Sequence, residues 1–396
     1  MEATSVDKQL SDDPKTTTPA PRRTGAGAHD VGMIIAGGGT GGHLFPGIAI
    51  AEEFLGRAPT HRVLFIGTER GLEKKVLGGL GFPLRTLKVE GLKGRGAIRI
   101  LAPLLKIPGS LLTSFRILQA FQPAVVVGVG GYASGPAVLT ARLMGLKTAI
   151  AEQNAFPGLT NRILGRFVHR IFVAFPVSAR WFPAGRTRVT GNPIRIAFLA
   201  DQTKNREQNR TFTLLIFGGS QGAHAINGVV MEALGSLGHL KDRIRFIHQT
   251  GEKDRETVAQ AYRNGGFAAE IFPFITDMAA AYRAADLLLC RAGATSIAEI
   301  TAGGKAALLI PFPFAVNDHQ RQNAELLARA GAAVLIPEKG LTGEGLATVI
   351  ERLYRHPEEI KKMEAASASL GNIHAAAAIV DDCLELIGDR QPTGVC

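Results

Sequence analysis

The stretch Met33-Ile34-Ile35-Ala36-Gly37-Gly38-Gly39-Thr40-Gly41-Gly42-His43 decides the fold: an apolar run of strand type enters a glycine loop and leaves through the helical pattern Ile48-Ala49-Ile50-Ala51. The unit recurs far along the chain, where Phe212 to Phe217 enters Gly218-Gly219-Ser220-Gln221-Gly222-Ala223. A glycine loop between a buried strand and a helix lets backbone N–H groups approach a ligand closely, and the helix start behind it carries partial positive charge. Phosphate is the usual guest. Two such units predict an α/β protein with two Rossmann-like parallel-sheet domains facing a cleft, because ligands in open α/β sheets sit beyond the carboxyl ends of the strands.

The 396 residues can bury two cores. Further apolar runs at Arg62 to Gly67, Ala124 to Val129, Thr148 to Ala151, Arg170 to Ala174, Arg245 to Gln249, Asp286 to Cys290, Ala306 to Ile310 and Ala332 to Ile336 alternate with helical patterns, as parallel sheets require. Residues 1–29, rich in Ser, Thr, Pro and charge, read as a disordered leader, and Gly191-Asn192-Pro193 reads as the hinge. The expected domains are therefore 30–191 and 192–371, followed by a last helical segment, Ala375 to Ile387, whose domain the residues alone leave open. No stretch reaches the roughly 18 apolar residues of a membrane span, and no secretion signal is legible. Cys290, Cys383 and Cys396 have no metal-ligand spacing and are odd in number, which argues against a disulfide framework and fits a reducing compartment.

Charge is unevenly placed. Between Gly91 and Ala200 there are fourteen Lys or Arg and a single acid, Glu152, in a chain whose formal net charge is +11. Ile98, Leu101, Leu104, Leu105, Leu111, Leu112 and Phe115 are interleaved there with Lys93, Arg95, Arg99, Lys106 and Arg116. That mixture suits either an interfacial surface meeting anionic lipid or a core-packing helix with a solvated basic face. Nucleic acid fits poorly, since Ile98 to Phe115 holds one aromatic and no binding motif.

Gly37, Gly39 and Gly42 satisfy G-x-G-x-x-G, but a dinucleotide site also needs an acid about 20 positions on at the end of the second strand, and here Glu69 falls just beyond it. His43, at a helix start beside a diphosphate-shaped pocket, is either structural or a group able to donate to an oxygen or take a proton near neutral pH. Glu299, behind Cys290-Arg291-Ala292-Gly293-Ala294-Thr295-Ser296, either holds a ribose diol or complements a helix dipole. Gln320, in Asp318-His319-Gln320 with Asn323, either reaches a sugar hydroxyl or caps. Gly128-Val129-Gly130-Gly131-Tyr132 forms a third glycine loop, and the isolated Glu152 either pairs with an arginine or faces the cleft.

This ordered set resembles the MurG family, which transfers N-acetylglucosamine from UDP-N-acetylglucosamine to undecaprenyl-diphosphate-linked muramoyl-peptide in peptidoglycan synthesis. The matching motifs are Gly-Gly-Thr-Gly-Gly-His at 38–43, Gly-Gly-Tyr at 130–132, Glu-Gln-Asn at 152–154, Gly-Asn-Pro at 191–193, Gly-Gly-Ser-Gln-Gly-Ala at 218–223 and the stretch Arg291 to Glu299. The resemblance implies the GT-B glycosyltransferase fold, with residues 372–388 returning to the N-terminal domain. It implies a donor site of Ser220 for the diphosphate, Ile275 for the uracil through its backbone, Ala294, Thr295, Ser296, Ile297, Ala298 and Glu299 for diphosphate and ribose, and Gln320 for the sugar. Thr40, Gly41, Gly42, Asn154 and Arg195 match the remaining donor contacts. The acceptor diphosphate is expected beside Gly39, His43, Gly130, Gly131 and Tyr132. Lys93, Arg95, Arg99, Leu101, Leu104 and Leu105 would face the anionic cytoplasmic membrane, making the protein peripheral on that side. One departure is Ala151, where the family often has His before Glu-Gln-Asn.

The expected chemistry is single displacement with inversion at the sugar carbon, the acceptor 4-hydroxyl attacking as UDP leaves. Loop amides and helix starts stabilise the departing diphosphate. No cofactor is called for, and no Asp-x-Asp pair near a strand end indicates a metal. His43 is the first candidate base and Glu152 the second. The rival classes are an NAD(P)-dependent oxidoreductase, which leaves the second glycine loop and Glu299 unexplained, and a basic nucleic-acid-binding protein, which would account for the pI of 9.8.

Overall fold

The computed structural model describes residues 31–69, 73–89, 107–198, 211–219, 221–315 and 318–388. It holds two wholly parallel sheets. The first comprises β1 (Gly32–Gly37), β2 (Arg62–Thr68), β3 (Leu84–Leu87), β4 (Val125–Gly130), β5 (Lys147–Glu152), β6 (Arg170–Val173) and β7 (Thr187–Val189), in the order β3-β2-β1-β4-β5-β6-β7. The second comprises β8 (Phe212–Phe217), β9 (Ile244–Gln249), β10 (Ala268–Phe272), β11 (Leu287–Cys290), β12 (Ala307–Leu309) and β13 (Ala333–Leu335), in the order β10-β9-β8-β11-β12-β13.

In each sheet the strand order reverses beside the strand that feeds a glycine loop. β1 lies between β2 and β4, and β8 lies between β9 and β11, so the loops after β1 and β4 and those after β8 and β11 flank the two crevices. These switch points are where open α/β sheets bind ligands. Strands β1 and β4 are buried along their whole length, which their unbroken apolar runs require of a sheet covered on both faces. The strands that sequence patterning did not anticipate, β3, β7 and β10, are all edge strands with mostly exposed or half-buried residues. Their sequences lack the apolar run because polar residues interrupt it: Arg85 and Thr86 in β3, Thr187 and Arg188 in β7, and Glu270 in β10.

Helices α1 (Gly41–Arg57), α2 (Glu73–Gly79), α3 (Ile107–Phe121), α4 (Ser134–Leu143) and α5 (Leu159–Leu164) accompany the first sheet. α6 (His224–Ser236), α7 (Arg255–Gly265), α8 (Met278–Ala284), α9 (Ala294–Ala302), α10 (His319–Arg329), α11 (Gly343–Arg355) and α12 (Pro357–Ser369) accompany the second. The last helix, α13 (Ala375–Gly388), packs against the first sheet: Ile379, Val380 and Cys383 share one core with Met33, Ile35, Phe54 and Val127. Arg57 pairs with Asp381 at 2.9 Å and Arg170 with Asp382 at 2.6 Å on the same helix. At the two crossings between domains, Asn372 Nδ2 donates to the Thr190 carbonyl at 2.8 Å. Gly191, at φ +82, leaves no room for a side chain there, since a Cβ would come within 2.8 Å of the Asn372 amide. No helix among the described residues is long and apolar enough to cross a membrane.

Candidate active site

The first and third glycine loops are stitched into one surface. Gly38 N–H donates to the Gly130 carbonyl at 3.3 Å, and a Cβ on Gly131 (φ +82) would fall 2.4 Å from the Gly38 carbonyl oxygen. His43, in the first turn of α1, lies against this seam: a Cβ on Gly130 would come within 2.8 Å of its ring. Its Nδ1 is 3.4 Å from Thr40 Oγ1. Burial pushes the His43 imidazole below its usual pKa, while Glu152, the Gly38 backbone and Glu73 act in the opposite sense. The ring is thus poised to be neutral, and so able to accept a proton, near neutral pH. Tyr132 projects from the same surface, exposed.

Glu152 ends β5 and is buried, but it does not face an arginine. Oε1 accepts from the Asn154 N–H at 2.9 Å and from Asn154 Nδ2 at 3.2 Å, and Oε2 accepts from the Gly158 N–H at 3.0 Å and from Asn161 Nδ2 at 2.9 Å. Four donors on two oxygens account for the acceptor capacity of a carboxylate. Its evident work is to hold the loop 153–158 and the start of α5, and the Asn154 side chain is engaged in the same knot.

Across the cleft, α9 begins at Ala294 behind Gly293, and Thr295 Oγ1 donates to the Gly42 carbonyl at 3.2 Å. The two helix starts therefore meet. Glu299 lies in the second turn of α9 rather than the first, so complementing the helix dipole is a weak account of it. Its Oε1 is 3.1 Å from Arg195 NH2; Glu299 is buried and the Arg195 side chain is 14% exposed. Burial raises the Glu299 pKa, and Arg195 opposes that rise. The Arg195 guanidinium lies 4.2 Å from the Phe45 ring of α1 and 4.8 Å from the Phe198 ring, and its buried Nε has no partner among the described residues. One cation thus touches both domains. Ile297 belongs to the second-sheet core, whereas Ser296 and Ala298 are half-buried.

The Ile275 N–H donates to Gln249 Oε1 at 2.7 Å, and Gln249 Nε2 donates to the Gly219 carbonyl at 2.7 Å. A single buried amide thus ties the second glycine loop to the proposed base-binding residue. Gln320 Oε1 accepts from the Phe312 N–H at 3.0 Å, an anchor to the preceding loop rather than a cap of its own helix. Ser220 and the six surface residues Lys93, Arg95, Arg99, Leu101, Leu104 and Leu105 lie outside the described residues.

Sequence reasoning missed Gln249, the Arg195–Glu299 pair and Glu73. Glu73 opens α2, buried beneath the first glycine loop, and its Oε1 accepts the Gly39 N–H at 2.7 Å. Each of these contacts joins residues far apart in the chain, so no local motif announces them. No group of three or more potential metal-binding side chains occurs among the described residues.

Known proteins resemble this arrangement over nearly its whole length. Residues 33–173 match the glycosyltransferase family 28 N-terminal domain and residues 213–381 the glycosyltransferase family 28 C-terminal domain. A Syntrophus aciditrophicus protein named UDP-N-acetylglucosamine–N-acetylmuramyl-(pentapeptide) pyrophosphoryl-undecaprenol N-acetylglucosamine transferase is 62% identical over 357 residues, covering 90% of this chain and 99% of that one. A Myxococcus xanthus protein of the same name is 50% identical, covering 90% of this chain and 93% of that one. The crystal structure of Acinetobacter baumannii MurG superposes with a TM-score of 0.69 at 31% identity, covering 90% of this chain and 99% of that one. These relatives support neither the oxidoreductase nor the nucleic-acid-binding reading. With both halves of its GT-B architecture matched and with identities of this size over this length, the chain belongs to the MurG family of glycosyltransferase family 28.

Proposed function

We propose that the meeting of two helix starts across the cleft, marked by the Thr295 to Gly42 hydrogen bond, is where the diphosphate of UDP-N-acetylglucosamine binds and where the sugar passes to the 4-hydroxyl of the undecaprenyl-diphosphate-linked muramoyl-peptide. The amides and partial charges of both helix starts stabilise the departing UDP. Arg195, with its unpartnered Nε, adds a fixed positive charge. Glu299 takes the ribose diol, exchanging or sharing its bond to Arg195. The Ile275 N–H is held by Gln249, so a backbone contact to the uracil falls to the Ile275 carbonyl. His43 takes the acceptor proton. Glu152, its lone pairs occupied, shapes the wall beside His43 instead.

Calorimetric titration of Glu299→Ala with UDP tests the donor site. Loss of charge-assisted bonds to the ribose should cost roughly 1.5–3 kcal/mol, or about ten- to a hundredfold in affinity. Unchanged affinity would remove Glu299 from the site.

Peripheral docking on the anionic cytoplasmic membrane is part of the same reading. It is supported by the acid-free segment Gly91 to Ile150 and by the exposure of Leu112, Phe115 and Leu143 on α3 and α4, beside Arg116 and Arg142. Changing Lys93, Arg95 and Arg99 to Gln should weaken binding to anionic vesicles by on the order of 1 kcal/mol per charge, with turnover of a soluble acceptor kept.

A further inference from the structure

Glu73 is a buried carboxylate that supports the first glycine loop, yet no motif announces it and the proposed function gives it no part. It is 1% exposed, and its hydrogen bonds among the described residues fall on one oxygen: Oε1 accepts from the Gly39 N–H at 2.7 Å, and from the Thr68 N–H and hydroxyl at 3.3 Å each. Oε2 is buried without a partner among the described residues. A Cβ on Gly38 would fall 2.1 Å from Glu73 Oε1, and one on Gly67 would lie 3.1 Å from Glu73 Cγ. Gly38, at φ +131, thus leaves the room the carboxylate occupies, and Gly67 leaves only a tight fit beside it.

We propose that Glu73 is a positioning residue for the transfer reaction: it fixes the Gly37–Gly42 loop through the Gly39 N–H and sets a negative charge beneath the loop seam against which the His43 ring lies. The proposal rests on His43 being the base. The loop backbone is the intermediary: Gly39 donates to the carboxylate, the adjacent Gly38 donates to the Gly130 carbonyl at 3.3 Å, and the His43 ring lies against Gly130. The charged groups acting on His43 are Glu152 from β5 and Glu73 from α2. Glu152 is the larger of the two influences, but its four donors tie it to its own loop and the helix beside it, whereas Glu73 is bonded to the very loop that leads into His43 and keeps one oxygen buried without a partner among the described residues. An anchor of the loop alone could be an uncharged acceptor such as Gln; a carboxylate adds the field.

The test is an NMR titration of His43 in the full chain, with Glu73→Gln and Thr68→Val for comparison. Glu73→Gln keeps an acceptor for the Gly39 N–H and removes the charge. It should lower the His43 midpoint by about 0.5–1 pH unit, below the 1–3 units of a directly contacting charge. Because the neutral base then persists to lower pH, the acid limb of kcat/KM should move to lower pH by the same amount. Thr68→Val, which keeps the charge, should leave the midpoint in place. An unchanged His43 midpoint in folded Glu73→Gln would overturn the proposal, even if turnover fell. Should Glu73→Gln not fold, the Glu73 carboxyl 13C shift of the unmodified chain must show an inflection at the His43 midpoint, and its absence would equally overturn it. Near-normal turnover of His43→Ala would sink the base reading on its own, while the titration would still report on Glu73.

Discussion

The two glycine loops share a backbone plan and stand on different supports. The first loop, given the acceptor side in the function proposed above, rests on a carboxylate, Glu73, which can only accept and takes the Gly39 N–H. The second loop, given the donor side, rests on a carboxamide, Gln249, which gives a hydrogen to the Gly219 carbonyl and takes one from Ile275. One support can carry charge and the other cannot. In the proposed reaction a neutral prop beneath the donor loop would leave the positive potential of the helix start undiminished for the departing diphosphate. A negative prop beneath the acceptor loop would offset that potential beside His43, the proposed base.

The sharpest way to break this contrast is His43→Ala. If the acceptor side exists to receive a proton, turnover should fall by roughly a hundred- to ten-thousandfold with UDP affinity intact, as steady-state kinetics with a soluble acceptor and calorimetry would show. A rise in acceptor KM alone would assign His43 to positioning instead. Next in size is Gln249→Glu, which gives the donor loop the other loop's support. The new carboxylate faces the Gly219 carbonyl with no hydrogen to offer, so urea unfolding should show a loss of about 3 kcal/mol or more. The loss should shrink at acidic pH, where the protonated acid regains its donor; equal loss at pH 5 and pH 8 would show that charge is not the cause.

A third test concerns the second domain alone. His248 is fully buried, with Nδ1 3.1 Å from Tyr262 Oη and Nε2 3.1 Å from Asn227 Oδ1, and burial lowers its pKa to about 3. The unfolded chain, titrating near 6.5, binds the proton first, so the stabilisation is complete above that value. It should fall by about 1.4 kcal/mol per unit as pH drops from 6.5 toward 3. A His248→Gln variant should lose that slope. The smallest effect is expected of Gln320→Ala, whose exposed bond to Phe312 is worth about 0.5–1.5 kcal/mol, so the KM for the donor should rise only about two- to tenfold.

The glycine loops, the switch-point strands and the charge of the 91–200 segment were legible in the sequence because each is written in consecutive residues. Strands β3, β7 and β10 were not, because polar residues break their short runs, whereas β13, also an edge strand, keeps an apolar run and was legible. The supports of the loops were equally hidden. Glu73 is 34 residues from Gly39, and Gln249 is 26 residues from Ile275 and 30 from Gly219. Only the packing of strand ends brings them together. Glu152 was half legible: an isolated acid in a basic segment invites an arginine partner, yet its four donors come from its own loop and the helix beside it.

The return of α13 to the first sheet has a consequence for synthesis and for motion. Ile379, Val380 and Cys383 complete a core begun at Met33, so the domain that leaves the ribosome first is sealed last. Until then its sheet is open on one side, and the second domain, whose strands lie entirely between the two crossings, can close before it. In the finished molecule, Asn372 and Thr190 bind the two crossings side by side. Because that bond joins the two chain passages to each other, a hinge placed there would have to bend both passages together rather than one at a time.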